Sequence, residues 1–215
     1  MSRPAWFAAS AGVLVLAALV LFGRAPRSDR LPEDDLAVWS NPAVTGPSIA
    51  GALLGRFYDS QRDGFRPAVR PVAVFWHQLE HRLFGENRAG YIWIRILLAV
   101  GAALAFFQVL QTFGTGPPAA LFGSLILLAH PLTAASVLTV AGASDLLALL
   151  FVLLAVLAVR RLSGRGDAPP FGRSGGESGE TGNRSPGGTP APDPAYRVAL
   201  AGCLVLVAAW SKEIA

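Results

Sequence analysis

From Ala5 to Phe22 the sequence runs without a charged side chain, and blocks of the same kind recur to the end of the chain. An apolar run of this length matches the ~20 residues a helix needs to cross the hydrocarbon of a bilayer. Five such segments can be drawn: about Ala5–Phe22, Tyr91–Leu110, Pro118–Ala129, Ser144–Val159 and Ala195–Trp210. The third is short and needs residues before Pro117 or after Pro131 to complete a crossing. The pattern predicts an all-α, polytopic membrane helix bundle of about five spans.

Composition agrees. Of the 215 residues 53% are hydrophobic and 15% charged, with mean hydropathy +0.47, whereas soluble domains carry about 25% charge. The net charge of +4 comes almost wholly from arginine, since Lys212 is the one lysine. These arginines are spread over loops, with no basic helix face, which argues against nucleic acid as a partner. The single cysteine, Cys203, excludes an intrachain disulfide.

The first apolar block is longer than a signal-peptide h-region and lacks a small-residue cleavage site, so it is expected to be an uncleaved anchor spanning residues 1–22. Residues 23–90 then form a long polar loop, residues 91–161 hold spans two to four, residues 162–194 are Gly/Pro/Ser-rich, and residues 195–215 form the fifth span. The Gly/Pro-rich stretch lacks apolar anchors and is expected to be disordered. Its flanking Arg160, Arg161, Arg165, Arg173, Arg184 and Arg197 predict a cytoplasmic location, which puts the amino terminus inside and the first loop outside. Arg24, Arg27 and Arg30 pull the other way, though loops this long obey the rule weakly. The segment "WSKEIA" stops where a sixth span would begin, so the chain is expected to be the N-terminal fragment of a longer protein.

Within the long loop, Val72, Phe75, Trp76, Leu79 and Leu83 recur at helical spacing, predicting an amphipathic helix suited to the membrane interface. "PSIAGALLGRFYD" is a weaker second candidate. The same stretch contains "HQLEH", His77–His81, which fits the inverted zinc-peptidase pattern H-x-x-E-H. The interfacial helix explains it better, because a peptidase needs a third ligand and a catalytic domain that the loop has little room for.

Four further groups carry candidate chemistry. Asp34 and Asp35 lie just past the first span, where a carboxylate pair can act as a base, hold a divalent cation, or begin a helix. Arg66 and Arg70 each precede proline, and a guanidinium there can pair with phosphate or with lipid head groups. His130-Pro131 closes the third span and Ser144-Asp145 opens the fourth, where Asp145 also suits the positive end of the helix dipole. Lys212 and Glu213 close the fifth at the same face, where snorkelling is the alternative.

Taken in order, "EDDLAVWSNPAV", "VRPVAVFWHQLEHRLFGENRAGY", "HPLTAASVLTVAGASDLLALLFVLLA" and "WSKE" resemble the GT-C-type integral-membrane glycosyltransferases, closest to the tetratricopeptide-repeat transmembrane O-mannosyltransferase family and its bacterial relatives. The resemblance implies a polyprenyl-phosphate sugar donor, a hydroxyl acceptor on protein or glycan outside the cytoplasm, and a multi-pass protein of a bacterial cytoplasmic membrane. Carried over residue by residue, it implies Asp34 and Asp35 as catalytic groups serving the acceptor or a metal. It further implies Arg70, His130, Asp145, Lys212 and Glu213 as substrate-binding groups. The sequence departs from the family where Ile92, Arg95 and Ala99 replace a histidine, an asparagine and a second histidine. It departs again where Ala135 replaces a glutamate and Ala143 an arginine. Two readings stay open: an enzyme with a reduced site, or a catalytically inactive scaffold or partner subunit of the same ancestry. A transporter would need ionisable groups deep within several spans; Arg95 alone qualifies, and it is expected near the interface.

Overall fold

The computed structural model of the protein describes residues 3–47 and 70–163. The second loop helix, Arg66, most of the Gly/Pro-rich stretch, the fifth span, Lys212 and Glu213 lie outside the described residues.

All the regular structure among the described residues is helical. Helix α1 (Arg3–Phe22) is followed by a 3-10 turn at Ala25–Arg27, a short helix α2 (Pro32–Asp34) running into a π-turn at Asp35–Trp39, and a one-turn helix α3 (Pro42–Thr45). Then come α4 (Pro71–Phe84), α5 (Arg88–Thr112), α6 (Pro117–Ala129), α7 (Pro131–Leu138) and α8 (Ala143–Ser163). Six of these elements open on proline at the first or second position, where its missing N–H leaves nothing unpaired and its fixed φ suits the helix.

Three helices are long and apolar enough to cross a membrane: Pro4–Arg27, Arg88–Thr112 and Ala143–Arg160. The pair α6–α7, bent by 52° at His130, makes a fourth if it counts as one broken span. The chain is thus a multi-pass membrane protein by the length and composition of its helices. The expected short connection between His130 and Asp145 is itself mostly helix. Pro131 disfavours α-geometry at His130, whose ψ is 136°, and then starts α7, whose first turn is capped by His130 Nδ1 accepting from Leu132 N–H at 3.2 Å.

Helix α5 is the central pillar. It packs against α1, α6, α7 and α8. Its buried face carries Ala99, Ala102, Ala103 and Ala105; small residues let backbones approach closely where lipid offers no hydrophobic drive. Leu14, Ala18 and Phe22 of α1, Leu128 of α6 and Leu146 of α8 complete the main core with Ile92, Ile96 and Val100 of α5. A second seam joins Ala102, Ala105 and Val109 to Leu153 and Leu157 of α8. Large apolar side chains such as Val20, Leu97, Phe122 and Val152 point outward, as lipid-facing positions do.

Candidate functional site: a charged clamp around one turn

The polar chemistry gathers at the end of the bundle where α1 leads into the first loop. Helix α4 supplies the first half. It starts after Arg70 and ends at Gly85, whose φ of +56° only glycine adopts easily and whose N–H reaches His81 O at 2.8 Å. Its apolar stripe points away from the protein: Phe75, Leu79 and Leu83 are 39%, 42% and 66% exposed. Its other face, with His77, Gln78 and Glu80, is buried. This is the reverse of a helix on a water-soluble domain.

Glu80 meets Arg95 there. The guanidinium donates to Glu80 through both terminal nitrogens, Nη1 to Oε1 and Nη2 to Oε2, the latter at 2.8 Å. Trp76 Nε1 adds a bond to Oε1 at 2.7 Å, and His77 Nδ1 stands 3.2 Å from Oε2. Arg95 is wholly buried. Seven residues beyond Arg88, it sits about 10 Å along α5. A buried cation at such a place needs a paired, hydrogen-bonded partner, and Glu80 meets that need.

Burial works to raise the Glu80 carboxyl, but the charge and hydrogen bonds of Arg95, helped by His77, outweigh it and hold it at about 2. Burial lowers the His77 imidazole below its ordinary value, against the pull of Glu80. His77 and His81 part company: His81 Nδ1 lies 3.3 Å from the Tyr91 hydroxyl, which also donates to Gly85 O. Among the described residues no group of three or more His, Cys, Asp and Glu side chains stands ready to hold a metal ion.

Arg95 has a second grip. Its Nε and Nη2 donate to Val140 O at 3.1 and 2.9 Å. From the opposite side, Asp34 Oδ1 accepts from Val140 N–H at 2.7 Å and Ala141 N–H at 3.2 Å. The turn between α7 and α8 is therefore held by a cation at its carbonyl and an anion at its amides. Arg88 closes the ring. It donates to Leu138 O at 2.8 Å, to Ser28 O and Oγ at 3.0 and 2.8 Å and to Ala25 O at 3.2 Å, and its Nε lies 3.6 Å from Asp34 Oδ2.

The sequence candidates separate accordingly. Asp34 is buried and committed to the turn, while Asp35, the next residue, is half-buried in the π-turn. Arg70 Nη1 lies 3.4 Å from Ser144 Oγ, so the arginine-proline step meets the opening of α8. Asp145 is exposed in the first turn of α8, beside a recess lined by Thr133, Ser136 and Leu149. His130 is exposed and serves as the cap of α7. The structure thus brings Asp34, Arg70 and the Ser144–Asp145 turn together, through contacts spanning up to 107 positions of sequence.

Sequence reasoning passed over Arg88 and the inward role of Glu80. Arg88 carries no sequence signal beyond its place three residues before the apolar run from Tyr91. Glu80 had a signal in Arg95, since a lone cation inside an apolar run demands an acid. Comparison with protein-family models, with curated proteins and with solved structures gives no match for this chain.

Proposed function

We propose that the protein is a membrane glycosyltransferase-like protein that transfers a sugar from a polyprenyl-phosphate donor to an extracytoplasmic hydroxyl acceptor. Supporting this reading is one observation: the segments that carry the resemblance, residues 33–44, 69–91 and 130–155, meet at one end of the bundle through Arg70–Ser144 and Asp34–Val140. In this reading the amino terminus is inside, that end faces out of the cytoplasm, and α4 lies in the interface with Phe75, Leu79 and Leu83 in the acyl-headgroup boundary.

The acceptor hydroxyl attacks the anomeric carbon, the bond from that carbon to the phosphate oxygen breaks, and the hydroxyl proton passes to a carboxylate. Asp35 fits that role better than Asp34, whose Oδ1 already accepts two backbone N–H groups. Arg70, with Lys212 beyond the described residues, would meet the departing phosphate, and Glu213, also beyond them, would belong to the rim. His130 and Asp145 would shape the rim.

The rival, an inactive scaffold or partner subunit, is favoured by one feature. The buried charges Glu80, Arg95, Asp34 and Arg88 satisfy one another or the backbone, as structural charges do. Transfer from labelled polyprenyl-phosphate mannose to acceptor protein in proteoliposomes separates the two. The enzyme reading expects transfer that Asp35→Asn abolishes while membrane insertion persists. No transfer by the parent chain supports the scaffold, and full transfer by Asp35→Asn overturns the catalytic assignment.

A further inference from the structure

We infer that Arg95 is a positioning residue, which, held by Glu80 of α4, fixes the 139–142 turn and so couples the seat of α4 on the bilayer to the placement of Ser144 and Asp145. The inference rests on the interfacial placement of α4 proposed above.

The observations form one chain of contacts. The outward stripe of α4 is Phe75, Leu79 and Leu83, spaced by four residues so that they share one face. A bilayer fits that stripe better than another protein would, for two reasons. Only Gly85, Glu86 and Asn87 separate α4 from α5, a helix long and apolar enough to cross a membrane, so the stripe starts at the edge of the hydrocarbon. The exposed Trp93 and Leu97 continue an apolar surface down α5. On the opposite face of α4, Glu80 takes both terminal nitrogens of Arg95.

Arg95 in turn donates twice to Val140 O. It thus binds both α4 and the turn. Withdrawing Glu80 leaves the guanidinium without its carboxylate, and a charge buried at that depth reorients toward water or lipid phosphate rather than staying against one carbonyl. Val140 O then loses both guanidinium donors, and the turn keeps Asp34 at its amides and Arg88 at Leu138 O. Ser144, which meets Arg70, begins two residues beyond the turn.

The experiment is hydrogen–deuterium exchange on the full chain in phospholipid nanodiscs, read at peptides covering residues 139–146 and, as a control, the middle of α5 and α8. Glu80→Gln is expected to speed exchange in the turn about tenfold. Because Glu80→Gln leaves a buried charge unpaired and can unfold the bundle, the second variant is Glu80→Leu with Arg95→Met. It removes both charges and keeps the packing volume. It is expected to leave α5 and α8 protected while the turn still exchanges faster. A turn as protected as in the parent, in a double variant whose spans stay protected, overturns the positioning role.

A third arm reads the coupling to lipid. Leu83→Cys in a Cys203→Ser background carries an environment-sensitive fluorophore, which should report an apolar setting in nanodiscs. Phe75→Ser with Leu79→Ser should shift that signal toward water and speed turn exchange together. A fluorophore already in water in the otherwise unaltered stripe sinks the interfacial placement. A shifted fluorophore with an unchanged turn leaves that placement standing and sinks the coupling.

Discussion

Arg95 and Glu80 illustrate how a buried charge pair behaves differently from its parts. Removing one partner strands the other in a low-dielectric setting, which costs about 3–5 kcal/mol, whereas replacing both by apolar groups of similar volume is often close to neutral. Glu80→Gln should therefore unfold at markedly lower temperature than the parent in detergent, and Glu80→Leu with Arg95→Met should recover most of the loss. Acid should act on the same cluster. Folding holds the His77 pKa below 6.5, so below pH 6.5 the unfolded chain binds a proton that the folded chain does not, and stability falls. Glu80, held at about 2 against 4.5 when unfolded, adds stability that is present above pH 4.5 and is lost as pH falls toward 2. Thermal unfolding followed from pH 7.5 to 4 should show the first loss, and His77→Asn should flatten it between pH 6.5 and 5. At this scale the sequence was half legible. A lone arginine in the run Tyr91–Leu110 announced that a counter-charge exists. Which acid supplies it was hidden, because Asp34, Asp35, Glu80 and Asp145 all reach the same end of the bundle, and only the rotation of α4 about its axis chooses Glu80.

That rotation is a property of the element. Periodicity in Val72–Leu83 fixed the two faces of α4 but not which one meets the protein. Next to a membrane the apolar face can turn to lipid, and here it does turn outward, carrying the polar face into the core. The same ambiguity hid α7. Eight residues opened by proline between two apolar runs look like a connector, yet they fold as a helix, since His130 caps them and Thr133, Ser136 and Val137 bury against neighbours. The turn after α7 is tight enough to dictate its residue. A Cβ on Gly142 would lie 2.3 Å from Ser136 O and 2.6 Å from Ser136 Cα, both main-chain atoms that cannot swing aside. Gly142→Ala should cost about 2 kcal/mol or more and lower the unfolding temperature. Gly12→Ala is the control: its added carbon meets nothing within 4 Å, and the substitution should be neutral or mildly stabilising.

Across the whole molecule the two ends of the bundle carry different chemistry. One holds the charged clamp; the other, where α5 turns into α6, shows Gln108, Gln111, Thr112 and Thr115 around a shallow recess with Phe7 and Pro117. Cysteines at Asp29 and Thr115, each in a Cys203→Ser background, should react with a membrane-impermeant maleimide from opposite sides, with Asp29→Cys labelled from outside if the amino terminus is inside. Labelling of both from one side would remove α5, the one candidate crossing between residues 29 and 115, from the set of crossings. The bend at His130 adds a constraint of another kind, one of thickness. Helices α1, α5 and α8 are 20, 25 and 21 residues long, or about 30 Å and more, enough for a bilayer's hydrocarbon. Helix α6, with 13 residues, reaches only about 20 Å, and α7 leaves its axis at 52°. Among the described residues the bundle thus has three full-height helices and one low one. Acyl chains beside α6 must compress or the bundle must tilt toward it, so lipids with shorter tails should gather along that single face.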